Sequence, residues 1–180
     1  NMWVGTYDKG INWIYWNMKA FKHYKNNFHD PTSLRNNFVF DFAEDKEGNL
    51  WVTNGAGLDI FNPEHGTFDY FSLKYENDSE FNYLTGPKLL IGKNDNIWVG
   101  TWGGGITRIS PDRKTFTRYL HNPNDTNSLS SDYVKALAQD SEGNIWAGTT
   151  GKGVSWFNPQ TKTFRHYRYA WGDSTALGSD

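Results

Sequence analysis

The chain has 180 residues with 18 Lys or Arg against 20 Asp or Glu, so its formal net charge is −2. This near balance gives no electrostatic indication of nucleic-acid binding. The lack of cysteine excludes disulfides, thiolate zinc sites and cysteine nucleophiles. No run of about 18 apolar residues is present that could span a bilayer. Aromatic residues make up 17% of the chain and 18 residues are glycine, which predicts short strands joined by tight turns.

Three markers recur along the chain at one spacing of about 48 residues. Tryptophans that open similar four-residue stretches lie at positions 3, 51, 98 and 146. Phenylalanines followed three residues later by a second aromatic residue lie at positions 21, 68, 116 and 164. The third marker consists of Leu34, Phe81, Leu129 and Leu177. Three markers in step predict an internal structural repeat.

Each repeat is predicted to hold four strands, which the second repeat illustrates. Strand A is the apolar run 38–42, followed by a turn rich in Gly, Asn and Asp, and strand B carries Trp51. A glycine-bearing loop leads to strand C at 58–61, which ends at Asn62-Pro63 because proline cannot donate to a strand ladder. Strand D begins near Phe68. No segment has sustained helical periodicity.

A four-stranded unit of about 48 residues is typical of a β-propeller blade. We therefore predict an all-β fold, a β-propeller fragment of four-stranded antiparallel blades, roughly four in number, the first lacking its inner strand. The predicted blades cover residues 1–29 (strands B to D), 30–76, 77–124 and 125–172, and residues 173–180 begin a further blade. Since rings usually hold 4–8 blades, we expect a longer parent protein, or two copies that close an eight-bladed ring.

Acidic residues at the turns between strands A and B do not have the spacing of a metal site. Asp45 and Asp140 each precede Gly-Asn, and this recurrence indicates turn capping rather than calcium binding or catalysis. The five histidines form no metal-binding pattern. We therefore expect no metal, no cofactor and no catalytic residue.

A candidate ligand site lies where the B–C loops and the D–A connections meet, because alternating strand directions place both on one face. Tyr7 and Trp102 occupy equivalent loop positions, and an aromatic face can stack on a sugar ring while polar neighbours bind its hydroxyls. The alternative is that both rings merely cover the adjacent blade. The candidate ligand-binding residues are Tyr7, Asp8, Arg35, Asn54, Tyr83, Trp102 and Lys152.

The third and fourth repeats resemble the two-component regulator propeller repeat of hybrid two-component systems from gut Bacteroides. The resemblance is carried by Asn127-Ser-Leu-Ser-Ser131, Asp140-Ser-Glu-Gly-Asn-Ile-Trp-Ala-Gly-Thr149, Gly153-Val-Ser-Trp-Phe-Asn-Pro159 and Thr163-Phe-Arg-His-Tyr167. In that family, periplasmic propellers precede a β-sandwich, a membrane helix, a histidine kinase and a response regulator, and the systems control genes for glycan use.

The resemblance implies a non-enzymatic, periplasmic sensor or scaffold with an oligosaccharide ligand and no nucleic-acid partner. Further implied partners are other copies, bound through open propeller edges or as a sensor dimer. Membrane contact would come only through parts of the parent protein that this sequence does not contain.

Two other functions stay open at this point. A propeller glycosidase or lyase would need converging carboxylates, for which Asp8 and Asp41 are the candidates. A sugar-binding lectin with one site per blade would need near-identical loops, whereas the equivalent positions hold Tyr7, Gly55, Trp102 and Thr150.

Overall fold

The computed structural model describes residues 2–15, 20–71 and 86–180, and within these ranges the regular structure consists of strands. The first seven are β1 (Met2–Gly5), β2 (Ile11–Tyr15), β3 (Ala20–Tyr24), β4 (Val39–Glu44), β5 (Leu50–Asn54), β6 (Gly57–Asn62) and β7 (Thr67–Phe71). The others are β8 (Lys88–Ile91), β9 (Ile97–Thr101), β10 (Gly105–Ile109), β11 (Phe116–Tyr119), β12 (Val134–Gln139), β13 (Ile145–Thr149), β14 (Val154–Asn158) and β15 (Thr163–Tyr167). The described part of the chain holds no helix that could cross a membrane.

The strands form four antiparallel sheets, each made of strands consecutive in sequence. Sheet 1 contains β1–β3, sheet 2 contains β4–β7, sheet 3 contains β8–β11 and sheet 4 contains β12–β15. The all-β propeller prediction is confirmed, including the three-stranded first blade. The exact blade boundaries stay a prediction.

The predicted inner strands of sheets 2 and 4 began one residue too early. Strand A starts at Val39 and at Val134, and a β-bulge follows at once in each strand. The preceding residues belong to the loop face, because the carbonyl of Phe38 accepts a bond from Gly55 N and that of Tyr133 accepts one from Thr150 N, each at 3.0 Å.

The chain divides into two compact units, unit 1 at 1–84 with sheets 1 and 2, and unit 2 at 85–180 with sheets 3 and 4. Each unit has its own apolar core, and the two cores use equivalent positions such as Leu34 and Leu129, and Phe61 and Phe157. Burying such a side chain stabilises the fold by roughly 1.5–3 kcal/mol. Trp98 belongs to the core of unit 2 and Trp3 packs against that of unit 1, as predicted for the repeat tryptophans. Trp51 is buried but belongs to neither core, and Trp146 is only partly buried.

An aspartate holds the turn between strands A and B in two of the sheets. Asp45 accepts bonds from the backbone N of Glu47 at 3.0 Å and of Asn49 at 2.9 Å, and its other oxygen accepts the indole N–H of Trp51 at 2.9 Å. Asp140 bonds the indole of Trp146 in the same way at 3.0 Å. Turn capping is confirmed, and each carboxylate also fixes the repeat tryptophan.

Candidate functional site

In each unit the B–C loop of the first sheet lies against the start of strand A of the second. In unit 1, Gly10 N donates to the carbonyl of Asn37 at 3.0 Å, and in unit 2, Gly105 N donates to that of Asp132 at 3.0 Å. Both glycines have positive φ, and a Cβ at either would lie within 2.3 Å of a backbone carbonyl. Glycine is therefore required here, because the loop passes close to the last residue of strand D of its own sheet, Tyr24 or Tyr119.

Two exposed aromatic pairs stand at equivalent places on this loop face, one in each unit. The first aromatic pair is Tyr7, 79% exposed, and Phe38, 42% exposed, whose ring centroids lie 5.1 Å apart edge to face. The second aromatic pair is Trp102, 46% exposed, and Tyr133, 55% exposed, which are joined by an isolated β-bridge. Sequence reasoning named Tyr7 and Trp102 but missed Phe38 and Tyr133, although both directly precede the first residue of strand A.

The two pairs differ in the charges around them. Lys135 places its Nζ 5.6 Å from the ring centroid of Trp102, and Arg118 donates to the carbonyl of Gly104 in the same loop at 3.0 Å. The carboxylate of Asp132 is engaged by the backbone N of His121 at 2.7 Å. Beside the first pair, Asp8 and Lys9 form an exposed ion pair at 3.1 Å. The second pair therefore has the more cationic surroundings.

Two of the predicted ligand residues meet at a buried carboxylate. Arg35 Nε contacts Asp59 Oδ1 at 2.5 Å, and the backbone N of Arg35 donates to Oδ2 at 3.1 Å. Asn54 Nδ2 donates to the same Oδ2 at 2.7 Å, and the guanidinium stacks 3.6 Å above the ring of Tyr70. Asp59 and Asn54 are fully buried. The polar groups of Arg35 and Asn54 thus stabilise sheet 2, and Asp59 was not identified from the sequence.

In sheet 4, hydroxyl groups occupy the positions equivalent to Arg35, Asn54 and Asp59; they belong to Ser130, Thr149 and Ser155. Ser155 Oγ donates to Ser130 Oγ at 2.7 Å, and Ser130 Oγ lies 3.1 Å from Thr149 Oγ1. Ser155 Oγ also lies 3.2 Å from Nδ1 of His166 on the neighbouring strand. Burial disfavours the charged imidazole and is the largest cause of the lowered pKa of His166.

The remaining candidates have less structural context. Lys152 is exposed between Gly151 and Gly153, and Tyr83 lies outside the described residues. Asp41, a candidate carboxylate for an enzyme, accepts a bond from the backbone N of Phe42 at 3.0 Å. Within the described ranges no group of His, Asp and Glu side chains is arranged to hold a metal ion.

The outer face of sheet 4 carries an open cavity of about 450 Å³, lined in part by Trp146, Val154, Tyr167 and Leu177. The equivalent residues of sheet 3 form the core of unit 2 against the next blade: Trp98, Ile106, Tyr119 and Leu129. Self-association of copies through this face stays a prediction.

Comparison with known proteins locates the repeat in both units. Residues 33–56 and 128–151 match the profile of the two-component regulator propeller family. Each segment runs from the connection before strand A to the B–C loop. No curated protein matches the chain.

Several solved structures share the fold. An extracellular domain assigned to the hybrid two-component system BT3049 from B. thetaiotaomicron is 26% identical, with a TM-score of 0.70 over 93% of this chain and 22% of that one. The extracellular domain of the hybrid two-component system BT4673 from the same organism is 20% identical, with a TM-score of 0.74 over 98% of this chain and 22% of that one. A catalytically inactive virginiamycin B lyase from Staphylococcus aureus, 13% identical, has a TM-score of 0.63 over 89% of this chain and 49% of that one, which is a likeness of fold alone.

The chain spans about a fifth of the length of the two-component-system domains that it matches. The matched segments lie at equivalent places in units 1 and 2, in the turn and strand pair that hold Trp51 and Trp146. The chain therefore has a β-propeller fold in which two segments match the two-component regulator propeller profile, and it is similar to extracellular domains of B. thetaiotaomicron two-component systems.

Proposed function

We propose that the chain is part of a non-enzymatic, periplasmic sensor that binds an oligosaccharide through its exposed aromatic pairs and signals to a histidine kinase. The observation that carries the proposal is the recurrence of the aromatic pair at equivalent loop positions of both units. Four large rings are exposed there, by 42% to 79% of their surface. The similarity to extracellular domains of two-component systems supports the same function.

The chemistry of the two pairs suits a sugar. The apolar face of a pyranose ring stacks on an aromatic ring, and the side chains around it supply hydrogen bonds to the hydroxyl groups. Asp8 and Lys9 beside Tyr7 provide an acceptor and a donor. The exposure of the rings means that stacking requires no opening of the fold.

Signalling would require the ligand to favour one arrangement of the parent protein over another. A ligand shifts such an equilibrium only by the difference between its affinities for the two states. The blades would supply the binding face and a rigid support, because within each unit a packed core joins the two sheets.

A calorimetric screen of the protein against plant and host oligosaccharides tests the proposal. We expect binding without turnover, and Trp102→Ala or Tyr7→Ala should weaken it about tenfold or more because a stacking surface is lost. Phe28→Ala is the matched control, since Phe28 is an exposed ring outside both pairs. Cleavage of an oligosaccharide by the protein would contradict the proposal in favour of a glycosidase or lyase, and an absence of binding across the panel would contradict it outright.

A further inference from the structure

The second aromatic pair carries a feature that the first lacks, a lysine held beside its ring by a β-bulge. The register of β12 against β13 shifts between Val134 and Ala136, so Lys135 is the unpaired residue of the bulge. A bulge redirects the side chain of its extra residue. Lys135 is exposed, and its ammonium lies 5.6 Å from the centroid of the Trp102 ring.

The same bulge in sheet 2 holds an apolar residue. The register of β4 against β5 shifts between Val39 and Asp41, which makes Phe40 the equivalent of Lys135. The first aromatic pair therefore has an aromatic residue at the position where the second has an ammonium group. The positive charge of Lys135 therefore belongs to the second aromatic pair alone and does not recur with the repeat.

We propose that the second aromatic pair binds an acidic sugar, a ring bearing a carboxylate or a sulfate, with the anionic group on Lys135. The proposal rests on the proposed function and names the class of its ligand. A sugar that packs against the exposed part of the indole would bring an anionic substituent within reach of Lys135, since the ammonium lies over that ring, 5.6 Å from its centroid. A hydrogen bond to a charged group contributes more than one between neutral groups.

The neighbouring charges favour an anion. Arg118 lies against the loop that carries Trp102, where its Nε donates to the carbonyl of Gly104. Asp132, a carboxylate near this loop, accepts a hydrogen bond from the backbone N of His121 at 2.7 Å. Gly86 lies close to the indole, since a Cβ built there would be 3.9 Å from the Trp102 ring.

Titration calorimetry of the protein with matched acidic and neutral ligands tests this assignment. The probes are tetragalacturonate, its fully methyl-esterified form, a sulfated chondroitin disaccharide and a panel of neutral oligosaccharides. We expect an acidic probe to bind at least about tenfold more tightly than the neutral ones, because a charge-assisted bond replaces a neutral contact. The preference should shrink at high salt, since the site is exposed.

Variants of Lys135 separate charge from packing. Lys135→Gln should abolish the preference for the acidic probe while leaving the weaker binding of the neutral form, and Lys135→Arg should restore most of it. Lys114→Gln is the matched control, because Lys114 is an exposed lysine in the turn between β10 and β11 of sheet 3. Carboxylate and sulfate are distinguished by which acidic probe binds.

The outcomes that overturn the inference differ from those that overturn the proposed function. Binding of neutral oligosaccharides alone, or an acidic preference that survives in Lys135→Gln, would contradict the acidic-sugar assignment and leave the sensor proposal standing. An absence of binding for every probe would contradict both.

Discussion

Sheets 2 and 4 have polar clusters at the same three positions, built from different side chains. Sheet 2 has Arg35, Asn54 and Asp59, with the carboxylate fully buried, whereas sheet 4 has Ser130, Thr149 and Ser155. A buried charge is stable only when its partners are held in place, while a hydroxyl network avoids most of that desolvation cost. The repeat therefore specifies where polar groups are buried and leaves their chemistry to the individual blade.

The largest expected effect comes from breaking the charged cluster. Arg35→Ala removes the cation and the stacking on Tyr70 but leaves Asp59 buried. We expect a loss of about 3 kcal/mol in the free energy of unfolding, because an unpaired buried carboxylate is strongly destabilising. Chemical denaturation followed by tryptophan fluorescence measures it. A loss below about 1 kcal/mol would show that the cluster behaves like an exposed ion pair.

The matched change in sheet 4 should cost less. Ser155→Ala removes one hydroxyl from a neutral network in which Ser130 and Thr149 still contact each other. We expect a loss of about 1 kcal/mol by the same measurement. An effect equal to that of Arg35→Ala would contradict the distinction between the two clusters.

The aspartates of the turns should make both units sensitive to acid. Burial opposes the charge on Asp45, but hydrogen bonds from Trp51, Asn49 and Glu47 outweigh it and lower the pKa of Asp45 below the ordinary 3.8. The stabilisation is complete above pH 3.8 and is lost as the pH falls through the lowered value. Asp45→Asn should therefore flatten the dependence of stability on pH below 4. An unchanged acid transition would show that the turn does not govern it.

The smallest expected effect is the dependence of stability on the protonation of His166 in sheet 4. Its pKa is lowered below the ordinary 6.5, chiefly by burial, so the unfolded chain binds a proton more readily than the folded one. The contribution of His166 to the free energy of unfolding should be fully present above pH 6.5. It should decline as the pH falls toward the lowered pKa and change no further below that value. His166→Gln should remove this slope, as measured by denaturation at several pH values. A slope that persists in the variant would assign it to other groups.

The fold could be predicted from the sequence because Trp3, Trp51, Trp98 and Trp146 recur at one spacing, and other residues of each repeat recur at the same spacing. The ion pair could not, because Arg35 and Asp59 lie 24 residues apart and nothing local marks them as partners. Arg35 has the residue type of a ligand contact, yet its guanidinium bonds Asp59, donates to the carbonyl of Leu58 and stacks on Tyr70.

One residue of each aromatic pair could be predicted from the sequence, and the other could not. Tyr7 and Trp102 stand out in loops where other repeats have Gly or Thr. Phe38 and Tyr133 read as the first residues of apolar strands, and only the position of the bulge moves them onto the loop face. The charge difference between the pairs depends on the same bulge.

Hydroxyl-radical footprinting of the protein with and without its best oligosaccharide tests the central claim most directly. Trp102 and Tyr133 are about half exposed, whereas Trp171 is 91% exposed and lies outside both pairs, so it serves as an internal reference. We predict that the ligand lowers oxidation of Trp102 and Tyr133 and leaves Trp171 unchanged. Protection elsewhere, with full oxidation of both aromatic pairs, would contradict a sugar site on the loop face.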